Sequence, residues 1–279
     1  MEQKETITPE STAAKPSEVY KPGATLDRTL EYGGKTVPIY RDRPLNVFSD
    51  VDFIWTGEEN ENQRRLEYLG GEFRTRYGID VSSFQGEIDW DAVADDNIDF
   101  AMVRVGFRGT GTGSLNTDKY YEQNIRGAMR AGLETGVYFF AQAVTVEEAI
   151  EEADYVISLL DGLDINGPVA YDWEMHDSTY RVYGTSPEMA TACAVAFCQR
   201  IKDAGYTPMV YGGTYVTYMK YDQGALADYL SWYPEYKSEK SEKLCPTLVY
   251  HMDYWQFSSS RAVAGINGRV DMNIQFIRR

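Results

Sequence analysis

The chain has 279 residues, 43% of them hydrophobic, which is enough for one large domain with an appendage or for two domains. Its formal net charge of -16 at pH 7 argues against a nucleic-acid partner, which requires basic patches, and against electrostatic docking on anionic lipid. Aromatic residues make up 14% of the chain and include 22 Tyr, which suits carbohydrate contact and equally an ordinary Tyr-rich core.

The N-terminal quarter divides into two segments. Residues 1–30 are rich in Glu, Lys, Thr, Pro and Ser and predict a disordered tether, because so few large apolar side chains cannot offset the entropy of ordering. Residues 31–75 predict a small N-terminal extension of unknown role. Within it the sequence predicts strands at residues 35–40 and 47–55 and a short capped helix over residues 56–69.

From residue 76 onward, short apolar runs alternate about five times with helical stretches, a pattern typical of a parallel sheet or barrel. The predicted strands lie at residues 77–82, 100–107, 136–141, 168–173 and 208–211. The predicted helices begin at residues 89, 117, 145 and 186.

The last third of the chain breaks this rhythm. It predicts a short helical piece at residues 223–228 and strands at residues 229–233, 248–257 and 268–275. Because the connection 258–267 has no helical stripe, we expect antiparallel pairing there. The sum is an α/β fold: an irregular TIM-like barrel with about eight strands and five helices over residues 76–279, plus the small N-terminal extension.

Three cysteines are present, and two of them, Cys193 and Cys198, lie on a predicted helix. Their spacing of five sets their Cα atoms roughly 8 Å apart, too far for a disulfide. We expect these two and Cys245 to be buried free thiols. The only histidines are His176 and His251, so a His-based metal site is poorly supplied and no metal or cofactor is expected.

Two acids end the fourth barrel strand. Side chains alternate faces along a strand, so Asp172 and Glu174 share one face while Tyr171 and Trp173 take the other. Such a pair suits glycoside hydrolysis, which uses two carboxyl groups, and equally suits a strand that simply exits into solvent.

Two further acids lie within apolar strands, Asp80 in the first barrel strand and Asp271 in the last. Barrels of this type carry their chemistry at the carboxyl ends of their strands. Four acids at corresponding strand ends therefore predict an acid-lined cleft.

Several motifs resemble those of glycoside hydrolase family 25, the Chalaropsis-type lysozymes (N-acetylmuramidases). The run DVSSFQG at residues 80–86, followed by IDW at 88–90, is similar to the family's opening motif. The resemblance covers about residues 76–279 and continues in the family's order through GVYFF at 136–140, DWE at 172–174, AGYTP at 204–208, WQFSS at 255–259 and VDMN at 270–273.

The resemblance implies hydrolysis of the β-1,4 bond between N-acetylmuramic acid and N-acetylglucosamine in peptidoglycan, by a monomer without cofactor or metal. The partner is then the peptidoglycan glycan strand. By position, Glu174 matches the family's general acid and Asp172 its partner carboxylate, and Asp80 and Asp271 match two further acids lining the cleft. The substrate-binding residues implied are Tyr138, Phe140, Tyr211 and Trp232.

The two acids of the fourth strand leave the mechanism open. A general acid needs a pKa raised from ~4.3 toward ~6, and the like charge of Asp172 plus partial burial would raise that of Glu174 while Asp172 stays ionised. Residues i and i+2 lie roughly 6.5–7 Å apart at the backbone, which allows double displacement, inversion or participation of the substrate's own 2-acetamido group. We favour the third route.

Arg104, in the middle of the second barrel strand, has two possible orientations. Pointing inward, it could pair with Asp80 or Asp172 and hold that carboxyl ionised; pointing outward, it would lie under a helix.

Three other functions compete. A chitinase-like glycosidase would also use an Asp-x-Glu pair, but the further upstream acids of such enzymes are missing in residues 166–171. A non-catalytic cell-wall carbohydrate-binding protein would not require the intact acids. A metal-dependent hydrolase could use them as oxygen ligands for Mg²⁺ or Ca²⁺.

No signal peptide and no apolar run of ~18 residues are visible in this chain. The protein is therefore either cytosolic or exported with its signal trimmed. The resemblance favours a secreted or cell-surface protein.

Overall fold

The computed structural model describes residues 14–57 and 64–279. Its N-terminal part holds two antiparallel hairpins. They are built from a short helix α1 (Pro16–Val19), strands β1 (Leu26–Tyr32) and β2 (Lys35–Tyr40), and strands β3 (Phe53–Thr56) and β4 (Arg65–Tyr68). Gly33 and Gly34 join β1 to β2 with φ of 56° and 74°, a left-handed backbone that a tight hairpin turn requires.

The rest of the chain forms a closed barrel. Its eight strands are β5 (Phe73–Val81), β6 (Phe100–Arg108), β8 (Glu134–Ala141), β9 (Val169–Trp173), β10 (Pro208–Tyr211), β11 (Leu230–Pro234), β12 (Tyr254–Arg261) and β13 (Val270–Arg278). A further short strand, β7 (Leu115–Thr117), lies between β6 and β8 in the sequence. The barrel order is β5-β6-β8-β9-β10-β11-β12-β13, closed by β13 against β5, with β7 added at the side of β6. The predicted eight-stranded α/β barrel is confirmed.

One strand of the barrel runs in the opposite direction to the other seven. The pairs from β5 through β12 are parallel, whereas β13 runs antiparallel to both β12 and β5. The predicted antiparallel pairing across residues 258–267 is confirmed. As a result, the amino end of β13 lies at the same end of the barrel as the carboxyl ends of the other strands.

Five helices accompany the barrel: α2 (Trp90–Asp95), α3 (Tyr121–Arg130), α4 (Val146–Leu159), α5 (Pro187–Asp203) and α6 (Thr214–Met219). The predicted caps are present, since Thr145 Oγ1 accepts from the Glu148 N–H and Ser186 Oγ accepts from the Met189 N–H. No described helix is long and apolar enough to cross a membrane.

The last predicted helix is wrong in position. Residues 223–228 form a turn, because the Asp222 carboxylate accepts from the backbone N–H groups of Gly224 and Ala225 and so competes with helix formation. The helix lies earlier, at α6, although Thr, Tyr and Val are weak helix formers. Burial of Val216, Thr217 and Tyr218 stabilises it there.

The predicted helix over residues 56–69 is also wrong for residues 56–57 and 64–69. Gly57 has a φ of 98°, and residues 65–68 are the extended strand β4, whose Leu66 is fully buried. Residues 58–63 lie outside the described residues. The predicted strand 47–55 begins only at Phe53, because Ser49 hydrogen-bonds Asp52 in a 3-10 turn over Asp50–Asp52.

The predicted tether is ordered from residue 14 onward. Helix α1 packs against α5, β1 pairs with β2, and the Ala14 N–H donates to Glu147. Residues 1–13 lie outside the described residues. The three cysteines are free and buried, as predicted.

Two apolar layers hold the barrel. The larger layer lies between the sheet and the helices and contains fully buried Tyr171 and Trp173, the outward residues of β9. The smaller one fills the barrel interior and consists of Phe100, Met102, Ala170, Met209, Tyr211, Trp232 and Tyr254. Ala170 precedes Asp172 on the inward face of β9, so the Asp172 carboxyl lies next to this apolar interior.

Candidate active site

A cleft of about 340 Å³ opens at the carboxyl ends of the parallel strands. All eight residues singled out from the sequence line it: Asp80, Tyr138, Phe140, Asp172, Glu174, Tyr211, Trp232 and Asp271. It is also lined by residues that the sequence did not single out for a role in the site, including Phe84, His176, Tyr236 and Gln256.

Asp172 and Glu174 occupy the same face of β9, as the alternation predicted. Asp172 is 5% exposed, whereas the Glu174 side chain is 26% exposed, and the two carboxyl groups are close enough for each to shift the pKa of the other. Burial raises the pKa of both, and the neighbouring charge of Glu174 raises the pKa of Asp172 further. The pair therefore retains a proton at a pH where two isolated carboxyls would be ionised.

The burial of the two carboxyls determines which of them is favoured to hold that proton. We expected Glu174 to carry it and Asp172 to be ionised. Asp172 is the more deeply buried of the two, and its pKa is raised well above the usual range, so burial favours the proton on Asp172. Arg104 lowers the pKa of Asp172 but does not outweigh burial.

Asp271 reaches the cleft by a different route from the one predicted. It lies near the amino end of β13, and the antiparallel direction of that strand places it opposite Asp80. Their carboxyls are close enough for each to shift the pKa of the other. Burial, with the Asp80 charge second, raises the pKa of Asp271 to about 8, and burial raises that of Asp80 to about 6.

Two side-chain amides hold Asp80 in place. Its Oδ2 accepts from Gln256 Nε2 at 2.9 Å and from Asn273 Nδ2 at 2.8 Å. Both bonds lower the pKa of Asp80 and so partly oppose the effect of burial.

The orientation of these amides is fixed by aromatic residues. Gln256 Oε1 accepts from the hydroxyls of Tyr211 and Tyr236 at 3.2 and 3.1 Å, and Asn273 Oδ1 accepts from Trp232 Nε1 at 2.8 Å. Tyr211 and Trp232, predicted to bind substrate, are thus almost fully buried and orient the partners of Asp80. Gln256 and Asn273 stand inside the motifs WQFSS and VDMN, which was the only sequence signal for them.

Arg104 lines the cleft, but its ion-pair partner is Asp118 rather than Asp80 or Asp172. Arg104 Nε donates to Asp118 Oδ2 at 2.9 Å, and the guanidinium lies 5.0 Å from the ring centroid of Phe84. Of the two orientations considered, the inward one is observed, with Asp118 as the ion-pair partner. Asp118 directly follows β7, a strand that the sequence did not predict.

His176 is a neighbour of Glu174 that the sequence did not identify. Its Nε2 lies 3.1 Å from Glu174 Oε2, and its ring packs edge-on against Tyr180. The backbone carbonyl of Glu174 accepts from Gln142 Nε2 at 2.8 Å. Glu174 is thus held at its backbone and contacted at its carboxyl by residues outside the acid pair.

Among residues 14–57 and 64–279, no three His, Cys, Asp or Glu side chains are grouped so that they could hold a metal ion.

Comparison with known proteins places this geometry in a family. The profile of the glycosyl hydrolases family 25 matches residues 79–266. The autolytic lysozyme of Clostridium acetobutylicum is 26% identical over 197 residues, which cover 70% of this chain and 54% of that protein. Lysozyme M1 of Streptomyces globisporus is 27% identical and is matched over 66% of its length. This chain thus spans about half to two thirds of these relatives.

Solved structures agree with the fold. The bacterial lysozyme from Streptomyces coelicolor is 25% identical, with a TM-score of 0.57 over 71% of this chain and 90% of that one. The spore cortex lytic enzyme SleM of Clostridium perfringens is 22% identical, with a TM-score of 0.62 over 72% of this chain and 67% of that one, and shows a shared fold. The match of the profile to well over half of the chain shows that this protein belongs to the glycosyl hydrolases family 25.

Proposed function

We propose that this protein is a peptidoglycan hydrolase, a lysozyme that cleaves the β-1,4 bond between N-acetylmuramic acid and N-acetylglucosamine. The observation that carries the proposal is the proton-sharing pair of Asp172 and Glu174 in a cleft that also holds Asp80 and Asp271. Family membership and the names of the relatives, an autolytic lysozyme and lysozyme M1, support it.

Glu174 is the proposed general acid. It is the less buried member of the pair and borders the open cleft, so a glycosidic oxygen can reach it. Its raised pKa keeps a proton available for the leaving group.

Asp172 is the proposed partner that orients the substrate's 2-acetamido group. An amide N–H donated to Asp172 would favour its ionised form, and the proton of the pair would then move to Glu174. Substrate binding thus moves the proton from Asp172, where burial favours it, to Glu174, which then acts as the general acid.

The closeness of the two carboxyls favours participation of the acetamido group over inversion. An inverting pair stands ~6.5–9.5 Å apart to leave room for a water, whereas these two carboxyls are near enough to shift each other's pKa. Both also come from the same face of one strand, so they lie side by side rather than across the sugar from each other.

The catalytic unit in this proposal is residues 76–279, acting as a monomer on glycan strands of the wall outside the cell membrane. The two N-terminal hairpins pack on this unit, since Tyr77 Oη donates to the Leu66 carbonyl and Arg43 donates to the Tyr229 carbonyl. They form an ordered extension.

The proposal is tested by release of soluble fragments from purified peptidoglycan. The Glu174→Gln variant should lose release by at least about 10²-fold, the usual contribution of a general acid. A matched control is Glu122→Gln, an exposed residue of α3 paired with Arg126, which should keep wild-type activity. Full activity of Glu174→Gln, or loss of activity on addition of EDTA, would contradict the proposal.

A further inference from the structure

A second, larger depression adjoins the cleft on the far side of Glu174. It has a volume of about 650 Å³ and shares Glu174 and His176 with the cleft, so the two are continuous. Its other walls come from the loop after β9 and from the start of α6, which contribute Tyr183 and Tyr215. We call it the Tyr183–Tyr215 groove.

Exposed aromatic side chains are concentrated on this continuous surface. Among the described residues, the large hydrophobic side chains that are strongly exposed include four aromatic ones: Phe84, Tyr183, Tyr215 and Tyr236. Phe84 and Tyr236 line the cleft, and Tyr183 and Tyr215 line the groove. Single exposed apolar residues need no explanation, but four aromatic rings confined to one depression form a track.

The charge of the groove indicates what it can hold. Of its described lining residues, none is Lys or Arg, and Glu174 supplies a carboxyl. An anionic peptide stem or phosphate polymer would meet no Lys or Arg side chain among these lining residues and would approach a chain of net charge -16. Tyr rings with apolar Met175, Val216 and Pro234 between them suit the uncharged face of a sugar, while the Tyr hydroxyls can hydrogen-bond its substituents.

The wall that carries Tyr183 is held rigidly. Arg181 makes two hydrogen bonds to the Glu148 carboxylate, at 2.9 and 2.7 Å, and a third to the Gln142 carbonyl. The Arg181 N–H donates to the Thr110 carbonyl, and neighbouring Val182 is fully buried. A pre-formed wall lowers the entropic cost of binding.

We propose that the Tyr183–Tyr215 groove is a second subsite, which binds an uncharged N-acetylhexosamine stretch of the glycan strand where it runs on from the cleft past Glu174. This inference rests on the proposed function, because it extends the same glycan beyond the bond that is cut. Under this proposal, the groove recognises the length of the sugar chain and not its peptide substituents.

The test measures binding, so that it does not depend on hydrolysis. In a Glu174→Gln background, dissociation constants are measured by calorimetry for peptide-free glycan strands of four and of eight or more sugars. We expect the double variant Tyr183→Ala, Tyr215→Ala to weaken the binding of long strands about tenfold more than the binding of tetrasaccharides. Tyr→Phe at both positions keeps the rings and should restore most of this difference, and Leu69→Ala, an exposed residue on β4's hairpin, is the control for loss of a surface side chain.

Three outcomes would overturn the proposal: equal weakening of long and short strands, no weakening at all, or weakening seen only with peptide-bearing strands. The last would assign the groove to peptide stems. Failure of the proposed function is a separate readout, since it shows as absence of cleavage by the wild-type protein whatever the groove binds.

Discussion

Asp271 lies directly opposite Asp80 across the antiparallel pair of β13 and β5, and each carboxyl shifts the pKa of the other. Like charges at this distance cannot both ionise at little cost, so one proton stays between them over most of the physiological range. The Asp80 carboxyl, with two amide donors, is the better anion, and Asp271 is the better donor.

This pair makes stability depend on pH. The pKa of Asp271 is raised to about 8, so between its unfolded value of ~3.9 and about 8 the folded protein binds more protons at this group than the unfolded chain does. Its contribution to stability is therefore fully present below pH ~4 and is lost as the pH rises through about 8. Asp271→Asn keeps a donor to Asp80 without a titrating proton and should flatten this slope in denaturant unfolding between pH 5 and 8.5. An identical slope in both proteins would contradict the assignment.

His176 should set the alkaline limit of activity. The charge of His176, whose Nε2 lies 3.1 Å from Glu174 Oε2, lowers the pKa of Glu174. Replacing it with Asn removes the charge, so Glu174 should keep its proton to higher pH and the alkaline limb of the kcat/KM profile should move upward. A limb that stays in place or moves to lower pH would show that His176 does not act on Glu174.

Gln256 should matter for both folding and activity. Gln256→Ala leaves the buried Tyr211 hydroxyl and one buried Asp80 interaction unsatisfied, which should cost about 1–3 kcal/mol in the free energy of unfolding and lower kcat/KM. Gln199→Ala on the exposed side of α5, where the side chain bonds Asp203, is the control and should be near neutral. Equal behaviour of the two variants would show that the amide bridge is unimportant.

Asp172 distinguishes the possible routes of hydrolysis. If it orients the 2-acetamido group, Asp172→Asn should lower kcat by roughly 10²–10³-fold, the scale of a lost electrostatic partner, with KM nearly unchanged. Proton NMR of the first products should show the anomeric configuration of the substrate. Unchanged kcat in the variant, or inverted products from the wild type, would exclude this role.

The part of the site that follows from strand alternation could be predicted from the sequence. Asp172 and Glu174 share a face because side chains alternate along β9, and the apolar runs predict the barrel itself. Asp271 lines the cleft, but strand direction, not strand end, brings it there. The motif VDMN does not indicate that direction, which follows instead from the missing helix in the connection 258–267.

What the sequence could not give was set by contacts between distant segments. Gln256 and Asn273 reach Asp80 across two strand pairs, with chain separations of 176 and 193 residues. Likewise Arg104 pairs with Asp118 because β7 folds back on β6, a pairing too short to leave a periodic signal. Local propensity also misplaced α6 and β4, where burial decides the structure.

The most direct test of the central claim is the identity of the reducing ends released from purified peptidoglycan. The products are reduced with borohydride and analysed by mass spectrometry, for the wild type and for Glu174→Gln. We expect reduced muramic acid from the wild type and its loss in the variant. Reduced glucosamine ends, or muramic-acid ends that persist at the wild-type rate in the variant, would contradict the account.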